Sequence, residues 1–462
     1  MYITRFDRGY SRRKFMQDAA RGILATGVLM PVWEAMAQSG SSEKAYPEEL
    51  LSIEGYTRGK IKTGDYIDAN NVEFVKDLLE PVRYEQILKM GRRLKVGKST
   101  HDVMRLSPWE YIEATLKNAG KAGFDAKGNI VNKSDGQPWI GGSPFPDPKT
   151  AIELFAAQTL NWGRHDASFY AFKEDEVAPD GSVPFSYTGC WAELSPVART
   201  VLNPKPYWPE HKDKLRYQTV FFLESSDVRG TSFLNVWDYD QNNLPQLYGY
   251  LPQYRRVRQY PTDQRFESLV PGSCLYLSDA WAAGDPLYTW GNYKIVGRGP
   301  FLAGLSDNWN SASPNWEHKT HGGTHGACFW DCTVELVPEA IIVEAEPLKF
   351  PRAPISKKRV WFDARNQVVL GMVTFDRKGL PFRSFDGAYG VYDDGKAVVK
   401  DGQHPYWSWM HVTASDIQTG AITRLQQVQV LEMVYRSQAN DPKIYETYMT
   451  QQALMRLGGA SA

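Results

Sequence analysis

The chain has 462 residues, and its 53 Lys and Arg balance 53 Asp and Glu, so it carries no net charge. That balance excludes the overall basic excess of a nucleic-acid binder, and no stretch past residue 37 is apolar for the roughly 18 residues a membrane helix needs. Aromatic residues make up 13% of the chain, with 15 Trp, 25 Tyr and 20 Phe, which suits half-buried strands or a greasy cavity.

The first 37 residues read as an export signal. Ser11-Arg12-Arg13-Lys14-Phe15-Met16 is a twin-arginine motif, followed by a mostly apolar stretch from Gly22 to Val32 and the small-x-small site Ala35-Met36-Ala37. Charged, apolar and cleavable parts in that order mark a signal peptide over 1–37, whose apolar part is too short to span a bilayer. The pathway moves folded cargo, so the expectation is a periplasmic protein that meets the twin-arginine translocase during export.

Residues 38–200 read as a helical, loop-rich region. Asn70 or Asn71 caps a short helix bearing Val72, Val75, Leu78 and Leu79, which Pro81 breaks or kinks. Ser107-Pro108-Trp109-Glu110 has the form of a capping box, opening a helix to about Ala119. Asp147-Pro148 starts a third helix with Ile152, Phe155, Ala156 and Thr159, and Gly163 is its stop.

From Leu215 the pattern becomes that of strands. Arg216 to Ser226 is rich in β-branched and aromatic residues, and Asp227-Val228-Arg229-Gly230 is a turn. Phe233, Asn235, Trp237 and Tyr239 then share one face, with Leu234, Val236 and Asp238 opposite. Leu247 to Leu251 and Tyr254 to Tyr260 continue the meander. Arg359 to Asp363, Gln367 to Phe375, Phe382 to Phe385, His411 to Asp416 and Ala421 to Leu425 repeat the style, and Asp441-Pro442 opens a last helix ending at Gly458. Short strands with regular turns indicate an antiparallel sheet, sandwich or barrel over 201–462.

The second half also resembles a known family. Tyr248-Gly249-Tyr250-Leu251-Pro252 followed by Arg255-Arg256-Val257-Arg258 resembles its Trp-x-Tyr-x-Pro and Arg-Arg-Val-Arg signature, with Tyr248 in place of the Trp. Lys294-Ile295-Val296-Gly297, Lys358-Arg359-Val360-Trp361-Phe362-Asp363, the Asp376–Gly379 turn and Ala453-Leu454-Met455-Arg456-Leu457-Gly458 fit the same pattern. Together they resemble domain-of-unknown-function family 1329, similar to the LolA and LolB outer-membrane lipoprotein-sorting proteins. The resemblance implies an α+β fold: a large curved antiparallel sheet, an incomplete β-barrel, covered by helices and preceded by an N-terminal helical extension. It implies a hollow for acyl chains, and a resistance-nodulation-division type transporter or an outer-membrane protein as partner. The family has no assigned catalytic residues.

Several constellations could carry function. Phe233, Trp237 and Tyr239 offer an apolar face to a lipid or other hydrophobic compound, each buried methylene contributing about 0.8 kcal/mol. Arg256, with Arg255 and Arg258, could pair with an anionic head group or lie on a solvated strand face. Trp407 and Trp409 belong to the densest aromatic segment, a ligand rim or strand core. His318, His321, His325, Cys328 and Cys332 have the donor types of a zinc or copper site, whereas an oxidising periplasm favours a disulfide between Cys328 and Cys332, or pairings with Cys190 and Cys274. The His-Glu-x-x-His, phosphate-loop and Gly-x-Ser-x-Gly motifs are missing. The expectation is therefore a carrier or binding protein without a cofactor, rather than an enzyme; its rival is a metal-binding protein or metalloenzyme centred on 318–332.

Overall fold

The computed structural model describes residues 46 and 48–460, apart from 161, 226, 264, 269, 280–284, 306–308, 310–312, 324–325 and 394. The export signal over 1–37 and the candidate ligand His325 lie outside the described residues.

One sheet of sixteen strands frames the molecule. Three of them are short, Tyr66–Ile67, Leu94–Val96 and Gln438–Ala439. The other thirteen form its body. The first six are β1 (Ala167–Val177), β2 (Phe185–Leu194), β3 (Lys214–Glu224), β4 (Ser232–Asp238), β5 (Gln246–Leu251) and β6 (Arg256–Tyr260). The rest are β7 (Gly291–Ala303), β8 (Cys332–Glu346), β9 (Ile355–Asp363), β10 (Val369–Asp376), β11 (Pro381–Val391), β12 (Trp407–Asp416) and β13 (Ile422–Val428).

In space the order is β7 to β13, then β1 to β6. Neighbours in the chain are thus neighbours in the sheet, as antiparallel pairing through short connections allows. The long-range join sets β13 beside β1, from Ile422 opposite Val177 to Val428 opposite Ala171. Among the described residues no ladder joins β6 to β7, so the sheet stays open there, the expected incomplete barrel. Its bending has a local cause. The β7–β8 register slips between Gly299 opposite Ala340 and Phe301 opposite Val337, where Pro300 and Pro338 cannot donate to the ladder, and such bulges bend and twist a strand.

The helices follow from caps and apolar spacing. α1 (Ile53–Thr57) is capped by Ser52. α2 (Pro81–Met90) is capped by Glu80, whose carboxylate accepts from the N–H groups of Val82 and Arg83. Pro81 therefore opens a helix instead of breaking one, because the first helical N–H has no intrahelical acceptor to lose; Val72–Phe74 and Lys76–Leu78 before it are single 3-10 turns. α3 (Trp109–Asn118) lies where the sequence predicts it, without the capping box. Ser107 instead accepts a 2.6 Å hydrogen bond from Arg164 Nη1.

α4 (Ala151–Leu160) is buried along nearly its whole length and shares one apolar core with Trp191, Trp237, Phe301 and Trp361 of the sheet, as a helix apolar all round must. On the other sheet face, Ile444 of α5 (Ile444–Tyr448) and Leu454 and Leu457 of α6 (Gln451–Ala460) pack on Leu234, Val236 and Phe221. The sheet also reaches back to Ala167, into the region read from sequence as helical and loop-rich. Glu174 and Glu176 there are buried on β1 despite their charge.

Candidate functional site

β4 shows how the sequence builds a hollow. Its side chains alternate: Leu234 and Val236 pack towards α5 and α6, while Phe233, Asn235 and Trp237 face the opposite way, the period of two that extended backbone imposes. They meet a cavity of about 280 Å³, whose other walls include Trp191 and Val220 from the sheet and Leu275 and Leu277 from the segment that crosses it. Gly249 keeps this wall tight, since a Cβ there would come within 2.9 Å of the Phe233 ring and 2.8 Å of Tyr260.

The crossing segment is the strap formed by the described residues between Pro261 and Trp290, in the connection from β6 to β7. It is fastened to four strands. Ser273 Oγ donates to Glu174 Oε1 on β1 at 2.9 Å, and Tyr187 on β2 donates to the Pro271 carbonyl at 2.9 Å. Cys274 N donates to Thr423 Oγ1 on β13 at 2.7 Å. Arg383 on β11 donates two hydrogen bonds to Asp279, each 3.1 Å, beneath the Tyr276 ring. Within the strap Arg265 pairs with Asp285, which also accepts from Trp290 Nε1 at 2.7 Å.

Charge around the hollow is held in pairs. Trp237 lies 4.9 Å from the Arg216 guanidinium and 5.6 Å from that of Arg265, in cation–π contact. Arg216 is tied to Glu193 at 3.1 Å. Glu174 and Glu176 point to the same side of β1; burial raises both, and the neighbouring Glu174 charge raises Glu176 further, to about 10. Two carboxylates this close do not both ionise, so the pair keeps a proton at neutral pH.

The residues read from sequence scatter across this frame. Phe233 and Trp237 line the cavity. Tyr239 lies beyond it: its hydroxyl accepts from Trp139 N at 2.9 Å and donates to the Ile130 carbonyl at 2.5 Å, tying the N-terminal region to the sheet. Arg256 is exposed on the edge strand β6. Trp407 and Trp409 are buried on β12, Trp407 stacked on Tyr389 at 5.9 Å and Trp409 edge-on to Tyr170 at 5.6 Å. Glu174, Trp191, Gln218, Arg265 and Asp279 were not singled out from sequence. Alternation within Arg216 to Ser226 carries the signal for Gln218, while the strap residues have none.

The candidate metal ligands do not converge. Among the described residues no group of three or more His, Cys, Asp or Glu side chains could hold a metal ion. His318 packs its ring against His411 with centroids 4.7 Å apart, and burial holds it down to about 4. His321 Nε2 accepts the Arg93 N–H at 2.9 Å, and burial holds it to about 4 as well. The structure does not show the expected disulfide: no S–S bond joins Cys190, Cys274, Cys328 or Cys332. Cys328 packs with Val177 and Ile422, and Cys332 with Ile67 and Leu94. The extended Phe329–Trp330 strand between them separates them by four steps of about 3.3 Å, beyond the roughly 7 Å a disulfide allows. Burial, with the Asp386 charge adding, pushes the Cys332 thiol up to about 12, far from a ready thiolate ligand.

A family model described as a protein of unknown function (DUF1329) matches residues 66–455. Three solved structures are similar. One is a domain from Vibrio parahaemolyticus named for outer-membrane lipoprotein sorting, at 16% identity over 66% of this chain and 98% of that one, with a TM-score of 0.39. The second, a DUF1329 family protein from Desulfovibrio piger, is 12% identical over 60% of this chain and 89% of its own, with a TM-score of 0.38. A LolA superfamily protein from Nitrosomonas europaea is 11% identical over 66% of this chain and 100% of its own, with a TM-score of 0.35. No curated protein matches the chain.

Proposed function

The chain belongs to the DUF1329 family of proteins of unknown function, and from that premise we propose that it is a binding or carrier protein for an apolar compound. One observation carries the reading: the cavity of about 280 Å³ between the aromatic face of β1–β5 and the strap. Its lining includes Phe172, Trp191, Phe233, Trp237 and Leu275, and an apolar guest that covers such a surface gains about 0.8 kcal/mol for each methylene it buries.

The periplasm is the proposed compartment and the twin-arginine pathway the proposed route, on the support of Ser11–Met16 and Ala35–Ala37. A resistance-nodulation-division type transporter or an outer-membrane protein is the proposed partner that would pass the compound on, which fits a hollow with an open sheet edge beside it. Among the described residues no helix is long and apolar enough to cross a membrane.

The neutral dye N-phenyl-1-naphthylamine tests the reading. The folded protein is expected to bind it saturably at one site, and Val220→Trp, which fills the hollow, to bind at least tenfold more weakly. Equal binding by both proteins, or none by the parent, refutes the carrier function.

A further inference from the structure

Gln218 on β3 and Asn235 on β4 face each other across the ladder, two register positions from the Val220–Phe233 pair on one side and from Arg216–Trp237 on the other. Both line the cavity and both are nine-tenths buried, at 8% and 7% exposure. Neither side-chain amide makes a hydrogen bond to another described residue, and neither has a fully buried unpartnered polar atom, so both amides open onto the hollow. Two directly opposed amides in an aromatic wall offer a paired donor and acceptor to a guest's polar group.

Charge narrows what that group can be. The cation among the described lining residues is Arg265, already paired with Asp285. The acids are Glu174, Glu267 and Asp279, and Asp279 is held by Arg383. An anionic head group would thus lose its water without gaining a counter-ion, and it would face Glu174. An amide pair satisfies instead a neutral group that both donates and accepts, such as a hydroxyl or a carboxamide.

We infer that the hollow selects an uncharged amphiphile whose hydroxyl or amide bonds Gln218 and Asn235, and that it rejects fatty carboxylates. This rests on the carrier reading and names its ligand class.

Dye displacement from the full protein at pH 7.5 tests it. Octan-1-ol and octanamide are expected to displace N-phenyl-1-naphthylamine at concentrations at least tenfold below those needed for octanoate. The near-isosteric double variant Q218M/N235L should keep the dye and lose that preference, octan-1-ol weakening about tenfold. If that variant does not fold, Asn235→Asp keeps shape and polarity, and octylamine should then displace the dye better than from the parent. Dye binding with octanoate as potent as octan-1-ol overturns the ligand class and leaves the carrier reading standing. An unchanged octan-1-ol response in the double variant, or an unchanged octylamine response in Asn235→Asp, overturns the anchoring by the amides. Failure of the parent protein to bind the dye sinks both.

Discussion

Arg383 and Asp279 are joined by two parallel hydrogen bonds of 3.1 Å, and this pair clasps the strap of residues 261–290 to β11. Both partners are buried. The bidentate fork matches guanidinium to carboxylate geometry, and the clasp fixes the outer wall of the hollow.

Breaking the clasp on one side should therefore be costly. Arg383→Met leaves Asp279 as a buried, unpaired charge, and the expected loss is about 3–5 kcal/mol. The double change R383M/D279N removes the orphaned charge and should recover much of it. Urea denaturation of the single and double variants measures the coupling; single-variant losses below about 1 kcal/mol would place the pair on a solvated surface, contrary to its burial.

The Glu174–Glu176 pair predicts a pH dependence. Burial raises both groups above their ordinary value, and the Glu174 charge raises Glu176 further, to about 10, so the folded state holds protons that the unfolded chain releases above about pH 4.3. The contribution of the pair to stability is then full below that pH and lost as pH rises through neutrality. Glu176→Gln should flatten the fall in urea midpoint between pH 5 and pH 9. A parallel pH profile for parent and variant would contradict the shared proton.

Lys358 gives the opposite slope. Its ammonium lies 3.8 Å from the Trp290 ring and 5.0 Å from Phe155, and burial pushes it down from 10.5 to about 8. The folded state therefore binds fewer protons than the unfolded one between about pH 8 and pH 10.4, so stability attributable to this group rises with pH across that window. Lys358→Met should stabilise the protein at pH 7 by up to about 3 kcal/mol, and the gain should shrink towards pH 10. Thermal melts at the two pH values decide it, and a destabilised variant at pH 7 would show that the aromatic contacts outweigh the burial.

Export offers a fourth test. Replacing Arg12 and Arg13 with Lys should leave unprocessed precursor in the cytoplasm, because the ammonium group cannot copy the geometry of the paired guanidinium groups. Cell fractionation reads the outcome, and undiminished periplasmic protein would remove the twin-arginine assignment.

What the sequence determined by itself was local. The inward face of Phe233, Asn235 and Trp237 was legible because extended backbone alternates every two residues. The helices around Trp109–Asn118 and Ala151–Leu160 were legible because the proline turn before each and its apolar spacing lie within one short window. The family motifs were legible in the same way, as short runs in order. Where long-range packing set the outcome, the local signal misled. Nothing in the sequence around Glu174 and Glu176 marks them as buried, yet β13 lies beside their strand and Ser273 of the strap bonds Glu174. His318 to Cys332 resemble a ligand set by their closeness in the chain, yet an extended strand and two separate apolar clusters draw Cys328 and Cys332 apart. The cavity was the tertiary structure's alone to decide. A void is the space between elements, and its size depends on how a strap tied by Arg383, Thr423 and Tyr187 lies across strands far from it in the sequence.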